Sequence, residues 1–194
     1  MTIRTYQNSK DNIVDAAIRV LAEKGLKGFT TDAVIKESGL SKAGFFYNFK
    51  TKNDLLESVF EKLSTEWMSS VDGQESKDKN PVGRSLRAHL SASIEQYESK
   101  EPGKMSLYMA LTELLISEPE LAKKQGSELW PSPKVEKALP IEQQIVVSLA
   151  IEGLYSQIMF PTIKLTEKQK KKVFEFLIRM TEVPVKFEDK RGVK

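Results

Sequence analysis

Residues 30–52 constrain the fold of this chain more than any other stretch, because they combine two helix starts with one glycine stop. The threonine pair at 30–31 is placed to cap a short helix, and Gly39 is placed to end it in the left-handed conformation. Ser41 is then placed to cap a second helix over about residues 42–48. The pattern predicts a helix-turn-helix, in which two short helices are joined by a tight turn.

The second predicted helix has a size and charge that suit a DNA major groove. It is two turns long, roughly 10 Å at about 1.5 Å per residue. Its first turn carries Lys42 beside two small residues, and residues 24–52 contain six lysines against two carboxylates, a local net charge of +4 in a chain of +3. Lysines in such a segment can contact phosphates. The same spacing also occurs in helical pairs that never bind DNA, so both interpretations stay open on spacing and charge alone.

Aromatic residues around the motif predict a small helical core rather than base stacking. Phe45, Phe46 and Phe49 are expected to be core residues, and Phe29 and Leu40 are expected to pack with Phe45 and Phe49. Each such aromatic contributes about 1.5–3 kcal/mol when buried. A preceding helix is predicted from about Ser9 to Gly25, because apolar residues recur at helical spacing along it. Those residues are Ile13, Ala17, Val20 and Leu21.

The same region resembles the tetracycline-repressor (TetR) family of bacterial transcription regulators. The matching string begins at Phe29, includes SGLSKAGFFYNF at residues 38–49 and ends at Leu56. The resemblance extends back to about Ser9, and beyond about Trp67 only a compatible helical pattern remains. It implies a DNA-binding domain followed by a helical ligand-binding and dimerisation domain. The positions that it implies for DNA contact are Thr30, Thr31, Lys42, Ala43, Gly44, Tyr47, Asn48 and Lys52.

Three positions depart from the family pattern. Phe46 stands where the family often has a phosphate-binding tyrosine, Asn48 where it often has histidine, and Ile35 where a small alanine is usual. One implied hydroxyl contact is therefore absent and one donor is changed.

The whole chain is predicted to be all-α, with an N-terminal three-helix helix-turn-helix domain and a C-terminal helical bundle, about nine helices in total. A connecting helix over residues 53–68 is expected to start at a capping box formed by Thr51 and Asp54. A polar segment at 71–83 with glycine and proline is predicted to be a loop. Further helices are predicted over residues 84–100 and 104–117, then a short one that opens at residues 118–120, and then over about 140–160 and from Thr166 onward. The predicted domains are 1–52 for DNA binding and 69–185 for ligand binding and dimerisation, followed by a tail at 186–194.

Composition argues against several kinds of catalytic and metal site. The chain has no cysteine and only one histidine, His89, so neither disulfides nor a multi-histidine metal site can form, and the histidine is expected to be packed or at the surface. No glycine-rich phosphate loop is present. An enzyme and a cofactor are therefore not expected. The start lacks a signal-peptide pattern and the longest apolar stretch, 141–160, is interrupted by polar residues, so a cytoplasmic protein without a membrane span is predicted.

The predicted second domain offers flexible and aromatic side chains that suit a cavity between helices. The alternative is that these residues are plain core. By the family resemblance, a small-molecule effector would bind there, and the scarcity of charges favours an apolar or aromatic one. The candidate residues are Met105, Tyr108, Met109, Trp130, Tyr155, Met159 and Phe160.

The last two predicted helices are apolar on more than one side, so a two-fold partner is expected to cover the second side in a four-helix bundle. The resemblance implies such a homodimer, which would bind palindromic double-stranded DNA with two recognition helices about 34 Å apart or further. Repression relieved by an effector is the expected activity. The alternative is a helical small-molecule carrier or interaction module without DNA binding, which the residues at Phe46 and Asn48 keep open.

Overall fold

The structure is a computed structural model that describes residues 3–99, 103–120, 123, 134–160 and 162–185, except for the side chains of residues 3–8, 105, 158 and 159. Over these residues it contains eight α-helices and no strand, which confirms the all-α prediction. Residues 119, 120 and 123, where a further short helix was predicted, are also helical. The helices are α1 Ile3–Gly28, α2 Thr31–Ser38, α3 Lys42–Asn48, α4 Lys52–Lys77, α5 Arg84–Glu98, α6 Lys104–Ser117, α7 Ile141–Met159 and α8 Glu167–Met180. None of these described helices has the length and apolarity that a membrane crossing needs.

The described residues form two compact units. The first unit lies within Met1–Trp67 and Lys100–Pro131, and the second within Met68–Ser99 and Ser132–Lys194. Helix α4 contributes residues to both units, and α6 packs in the first. The compact units therefore divide the chain differently from the predicted domains, in which α6 belongs to the C-terminal part. The functional division at residues 52 and 69 stays a prediction.

In the first unit, α1 is the element on which the others pack. Its predicted core positions, Ile13, Ala17, Val20 and Leu21, are all buried. Helices α2, α3 and α6 each contact α1, and α6 does so through a buried row that includes Leu107, Leu111 and Leu114. Gly25, the predicted helix end, interrupts the helical backbone of α1 with φ 64°, after which helix resumes to Gly28.

Helix α4 is longer than predicted. The sequence placed a loop over residues 71–83, whereas the helix continues to Lys77. Val71 is buried, and the Gln74 amide donates to the Glu95 carboxylate on α5 at 2.9 Å. Tertiary contacts of this kind outweigh the low helix propensity of Gly73. The predicted loop is therefore wrong for residues 71–77.

The second unit packs α5 and α7 together through Leu86, Leu90, Val147 and Ile151, with α8 contributing Leu177. His89 is buried on α5 with Nδ1 2.9 Å from the Ser85 carbonyl oxygen. Of the two placements expected for this histidine, packed or at the surface, the structure has the packed one. The predicted capping box at the start of α8 is also present, between Thr166 and Gln169.

Buried polar side chains connect the ends of these helices. Glu136 accepts hydrogen bonds from the backbone N–H groups of Gly83 and Ser85 at 2.6 and 2.9 Å, so its carboxylate caps the start of α5. Arg87 donates from Nε to Asp78 at 2.5 Å and from Nη1 to the Thr181 carbonyl oxygen at 2.9 Å. The beginning of α5 is thereby fixed to the end of α8.

Candidate nucleic-acid interface

The two helices of the predicted motif form as expected, because each has a side-chain cap. The Thr30 hydroxyl accepts from the Ala33 N–H at 3.1 Å, and the Ser41 hydroxyl accepts from the Gly44 N–H at 3.1 Å. Between them, Gly39 ends α2 with φ 68°. A residue with a Cβ atom resists this backbone conformation, so glycine determines the angle between the helices.

One side of α3 anchors it in the first unit. Phe45 and Phe49 are buried together with Phe29, as predicted, and Leu40 packs against the same core. Three polar contacts attach the neighbouring elements to α1. These are Asn12 Nδ2 to the Ser38 carbonyl oxygen at 3.0 Å, Arg19 to Glu37 at 2.7 Å, and Lys62 of α4 to Asp15 at 2.6 Å. The hydrogen bond with Asp15 raises the pKa of Lys62 above its ordinary value.

The other side of α3 is exposed and is called the α3 face here. It consists of Lys42, Ala43, Phe46 and Tyr47, which pair at i, i+4 spacing and therefore lie on one side of the helix. Tyr47 is 59% exposed and Phe46 is 39% exposed. The prediction of a core position is therefore wrong for Phe46, because it lies on the side of α3 away from the buried Phe45 and Phe49. The exposed side of this two-turn helix therefore carries two aromatic rings.

The cations around this face have different environments. The Lys42 ammonium lies 3.9 Å from Asp32, and both side chains are largely exposed, so the pair is weak. Lys50 donates instead to the Phe46 carbonyl oxygen at 3.0 Å. Lys52 lies over the Phe29 ring at 5.0 Å from its centroid while remaining exposed. Of these three lysines, Lys42 projects from the α3 face itself.

Asn48 is oriented differently from the other predicted contact residues. Its Nδ2 donates to the Gly44 carbonyl oxygen at 2.8 Å and to the Ser9 hydroxyl at 3.1 Å. Its Oδ1 is buried and has no hydrogen-bond partner among the described residues. The side chain thus connects α3 to α1. Sequence reasoning missed Ser9 in this role, because the contact joins residues 39 positions apart.

The remaining predicted DNA-contact positions lie at the start of the two helices. Thr30 and Ala43 are exposed, while Thr31 and Gly44 are half-buried. A Cβ atom at Gly44 would lie 3.3 Å from the Ser41 hydroxyl oxygen, so a larger residue there would crowd the cap. These positions and the α3 face all belong to the helix-turn-helix segment formed by α2 and α3.

The predicted ligand-contact residues fall in both compact units. On α6 of the first unit, Tyr108 is half-buried and Met109 is exposed. On α7 of the second unit, the Tyr155 hydroxyl donates to Gln96 at 2.8 Å, and burial raises the pKa of Tyr155 to about 12. Phe160, which follows α7, is exposed. Trp130 and the side chains of Met105 and Met159 lie outside the described residues, and the ligand site stays a prediction.

Helices α7 and α8 of the second unit contact each other and expose large apolar side chains. Leu149 is 65% exposed and Phe176 is 63% exposed. The exposed apolar set, called the α7–α8 face here, is Ile141, Ile145, Val146, Leu149, Val173 and Phe176. Apolar side chains grouped in this way are typical of a surface that another molecule covers.

Comparison with known proteins gives matches in both sequence and structure. Residues 13–59 match the family model described as bacterial regulatory proteins, tetR family. The uncharacterized HTH-type transcriptional regulator YerO of Bacillus subtilis (strain 168) is 30% identical over 112 residues, 56% of this chain and 37% of that protein. The biofilm operon icaADBC HTH-type negative transcriptional regulator IcaR of Staphylococcus aureus (strain Newman) is 40% identical over 48 residues, 25% of this chain and 26% of that protein. The match therefore spans about a quarter to a little more than a third of the length of these relatives.

Solved structures match over most of the chain. A member of the TetR family from Streptomyces coelicolor A3 has a TM-score of 0.64 at 18% identity, over 90% of this chain and 99% of that one. The multidrug binding protein EbrR, solved with malachite green, has a TM-score of 0.62 at 18% identity, over 90% and 98%. Identity this low establishes the fold alone. The capped helix-turn-helix therefore lies within a segment that matches the tetR family of bacterial regulatory proteins, and the described fold is similar to that of a solved member of the TetR family.

Proposed function

We propose that the protein is a DNA-binding transcriptional regulator that represses a promoter until a small-molecule effector binds. The observation that carries this proposal is the α3 face, a solvent-exposed side of a short, capped helix with Lys42 at its start. A helix of this length fits a major groove, and the surrounding lysines supply the positive charge that phosphates attract.

Binding of DNA by this face has a testable salt dependence. Each phosphate that a lysine neutralises releases counterions, so affinity should fall steeply as salt rises from about 50 to 200 mM. The experiment is fluorescence anisotropy with the full chain and duplex fragments from the DNA flanking its gene, across that salt series. Absence of binding, or affinity that does not respond to salt, would leave the carrier without DNA binding as the better account.

Two substitutions test the residues that are proposed to contact phosphate. Lys42→Ala should weaken binding for all sequences and lower the salt slope by about one. Tyr47→Phe should weaken binding through loss of the hydroxyl group. The matched control is Lys79→Ala, which removes the same charge from an exposed position in the second unit. Equal affinity of Lys42→Ala and Lys79→Ala would contradict the assigned contact.

The proposed regulator acts as a homodimer on a palindromic operator. Support comes from the exposed apolar side chains of the α7–α8 face, which a second copy would cover in a four-helix bundle. A two-fold dimer presents two α3 helices to successive major grooves, about 34 Å apart or further. The operator would then have two inverted half-sites.

The proposed effector is an apolar or aromatic molecule. The similarly folded EbrR has been solved with malachite green and with ethidium, and both dyes serve as probes here. An effector shifts the DNA-bound state only by its difference in affinity for the two states. Because coupling between two ligands is reciprocal, DNA should lower the affinity of an effective dye by the same factor by which the dye lowers the affinity for DNA. A dye that binds without changing DNA affinity would contradict relief by that class of effector.

Repression is the proposed direction of control. The name of IcaR describes a negative regulator, and a dimer seated on a promoter excludes other proteins from it. Deletion of the gene should raise expression from the adjacent promoter in a reporter strain. A fall in expression would identify an activator instead.

A further inference from the structure

The α3 face is unusual in the hydrogen-bonding groups that it lacks. Residues 30–52 contain neither arginine nor glutamine, the side chains that bond guanine or adenine through two groups at once. The nearby Arg19 of α1 is bonded to Glu37 at 2.7 Å. On α3 itself, direct reading of purine edges by a pair of hydrogen bonds is therefore left to Lys42 and Asn48.

Asparagine is the remaining side chain that could read adenine in this way, and Asn48 is directed elsewhere. Its Nδ2 donates to the Gly44 carbonyl oxygen and the Ser9 hydroxyl, and its Oδ1 is buried. Turning the amide outward would break both hydrogen bonds and separate α3 from α1 at this point. Asn48 is thus a positioning residue rather than a reader of bases.

The α3 face instead offers one methyl group, from Ala43, and two aromatic rings, from Phe46 and Tyr47. In the major groove, apolar side chains discriminate among bases through the C5-methyl group of thymine. We propose that the protein selects its DNA sites chiefly by apolar contact between the α3 face and thymine methyl groups. This inference rests on the proposed DNA-binding function and goes further by naming the chemical group that is read.

Lys42 is the competing candidate for sequence reading, since a lysine can donate to guanine. Its ammonium lies at the first position of α3, 3.9 Å from the exposed Asp32 carboxylate. A single flexible ammonium group acts as a point charge, without the fixed geometry of a bidentate donor. We therefore assign Lys42 to phosphate and the apolar side chains to base recognition, and the experiment separates the two roles.

The experiment starts from DNA that the protein itself selects. The full chain is used to enrich binding sequences from a random duplex library, and the enriched duplex is then rebuilt with deoxyuridine in place of thymidine at one position at a time. Deoxyuridine lacks only the methyl group, so base pairing is kept. Loss of one buried methyl group should weaken binding about fourfold at each contacted thymine, the factor that burial of one such group provides. Positions outside the half-sites should show no change.

Protein variants connect this effect to particular side chains. Tyr47→Ala should bring the thymidine-to-deoxyuridine affinity ratio to one at a contacted position, whereas Tyr47→Phe should keep the ratio because it retains the ring. Ala43→Gly should likewise bring the thymidine-to-deoxyuridine affinity ratio to one, but at a neighbouring thymine of the DNA site. Helical circular dichroism and the thermal midpoint of each variant check that the first unit is folded.

Three results would overturn the inference. Equal affinity for thymidine and deoxyuridine at every position would exclude methyl reading, even if specific DNA binding is present. If the affinity fell only when guanine was replaced by 7-deazaguanine, which lacks the N7 acceptor, base recognition would be assigned to Lys42. Failure to enrich any sequence would overturn the proposed function itself, and the inference with it.

Discussion

Arg87 and Asp78 form a largely buried ion pair in the second unit, with side chains 9% and 19% exposed. Arg87 also donates to the carbonyl oxygens of Asn80, Val82 and Thr181, each at 2.9 Å. The guanidinium group therefore joins the turn before α5 to the end of α8. A buried charge of this kind is costly when one partner is removed.

Replacement of Asp78 by asparagine should lower the free energy of unfolding by about 2–3 kcal/mol, because Arg87 would stay buried without a carboxylate. The control is Asp72→Asn, at an exposed position of α4 in the same unit. Urea unfolding of both variants at neutral pH measures the difference. Equal midpoints for the two variants would mean that the carbonyl oxygens alone compensate Arg87.

The pH dependence of this pair has a definite sign. The hydrogen bond from Arg87 lowers the pKa of the Asp78 carboxyl below its ordinary value of 3.8. The folded state thus releases the proton more readily than the unfolded state, and the stabilisation is fully present above that ordinary value and is lost as pH falls through the lower, folded pKa. In Asp78→Asn, the acid-side decline of the unfolding free energy should be shallower than in the wild type. An unchanged decline would assign acid sensitivity to other carboxylates.

Two glycines with nearly the same left-handed backbone provide a matched test of close packing. Gly39 has φ 68° with no atom within 4 Å of an added Cβ, whereas Gly83 has φ 66° and its Cβ would lie 1.9 Å from the Thr181 carbonyl oxygen. Gly39→Ala should cost about 1–2 kcal/mol from backbone strain alone. Gly83→Ala should cost about 3 kcal/mol or more, since a backbone carbonyl must also move. Thermal or urea unfolding compares them, and similar losses would show that the end of α8 yields easily.

At the scale of elements, the sequence predicts those helix ends that depend on neighbouring residues. The caps at Thr30, Ser41 and Thr166 and the box of Thr51 with Asp54 each join residues three positions apart. A local pattern therefore contains all of the information needed to recognise them. The same holds for the buried stripe of α1, because its spacing alone defines one face.

Elements fixed by distant residues could not be predicted in this way. The cap of α5 comes from Glu136, more than fifty positions away, and the inward direction of Asn48 depends on Ser9. Gly73 with its polar neighbours indicated a loop, but contacts of α4 in the second unit keep the segment helical. The α3 face was predictable as a segment, whereas the choice of which side chains face outward required the fold.

Two consecutive glutamines near the start of α7 illustrate polar residues that the sequence presented only as interruptions of an apolar stretch. Gln143 donates to the carbonyl oxygens of Met180 and Val183 and accepts from the Val185 N–H at 2.7 Å. Gln144 donates to the carbonyl oxygens of Glu136 and Leu139 at 2.7 and 2.9 Å. Both side chains are buried. Gln143 thereby attaches residues 180–185 to α7, and Gln144 attaches residues 136–139 to the same helix.

Replacement of Gln143 by methionine, which is similar in volume, should lower the free energy of unfolding by about 2–3 kcal/mol because buried backbone groups lose their partners. Amide exchange at Val185 should accelerate strongly, since its N–H would lose its acceptor. The control is Glu142→Gln at the exposed neighbouring position. Val185 exchange that is slow in all three proteins would contradict the role assigned to Gln143.

At the scale of the whole molecule, the lysine-rich segment and the α7–α8 face lie in different parts of the chain. The lysine-rich segment 24–52 carries a net charge of +4, while the total is +3. The α7–α8 face lies in the second unit and is apolar. Helix α8 also carries five cations against two carboxylates over Glu167–Met180, a net charge of +3, so pairing through this face would depend on its apolar side chains.

The proposed dimer makes a direct prediction about Leu149. In a two-fold bundle each copy would bury this side chain, so Leu149→Glu would place two carboxylates in one apolar interface. Burial of unpaired charges is costly enough to raise the dimer dissociation constant about a hundredfold or more. The matched control is Ile116→Glu, the same kind of change at an exposed position on α6 of the first unit.

Sedimentation equilibrium measures the outcome, because a chain of 22.0 kDa and its dimer differ twofold in mass. We expect a dimer for the wild type and for Ile116→Glu, and a monomer for Leu149→Glu at the same concentration. Loss of the dimer should also weaken operator binding while the helical signal is kept, since a single α3 helix contacts only one half-site. A wild-type monomer would contradict the bundle outright. If Leu149→Glu dimerised with unchanged affinity, the dimer interface would have to lie outside the α7–α8 face.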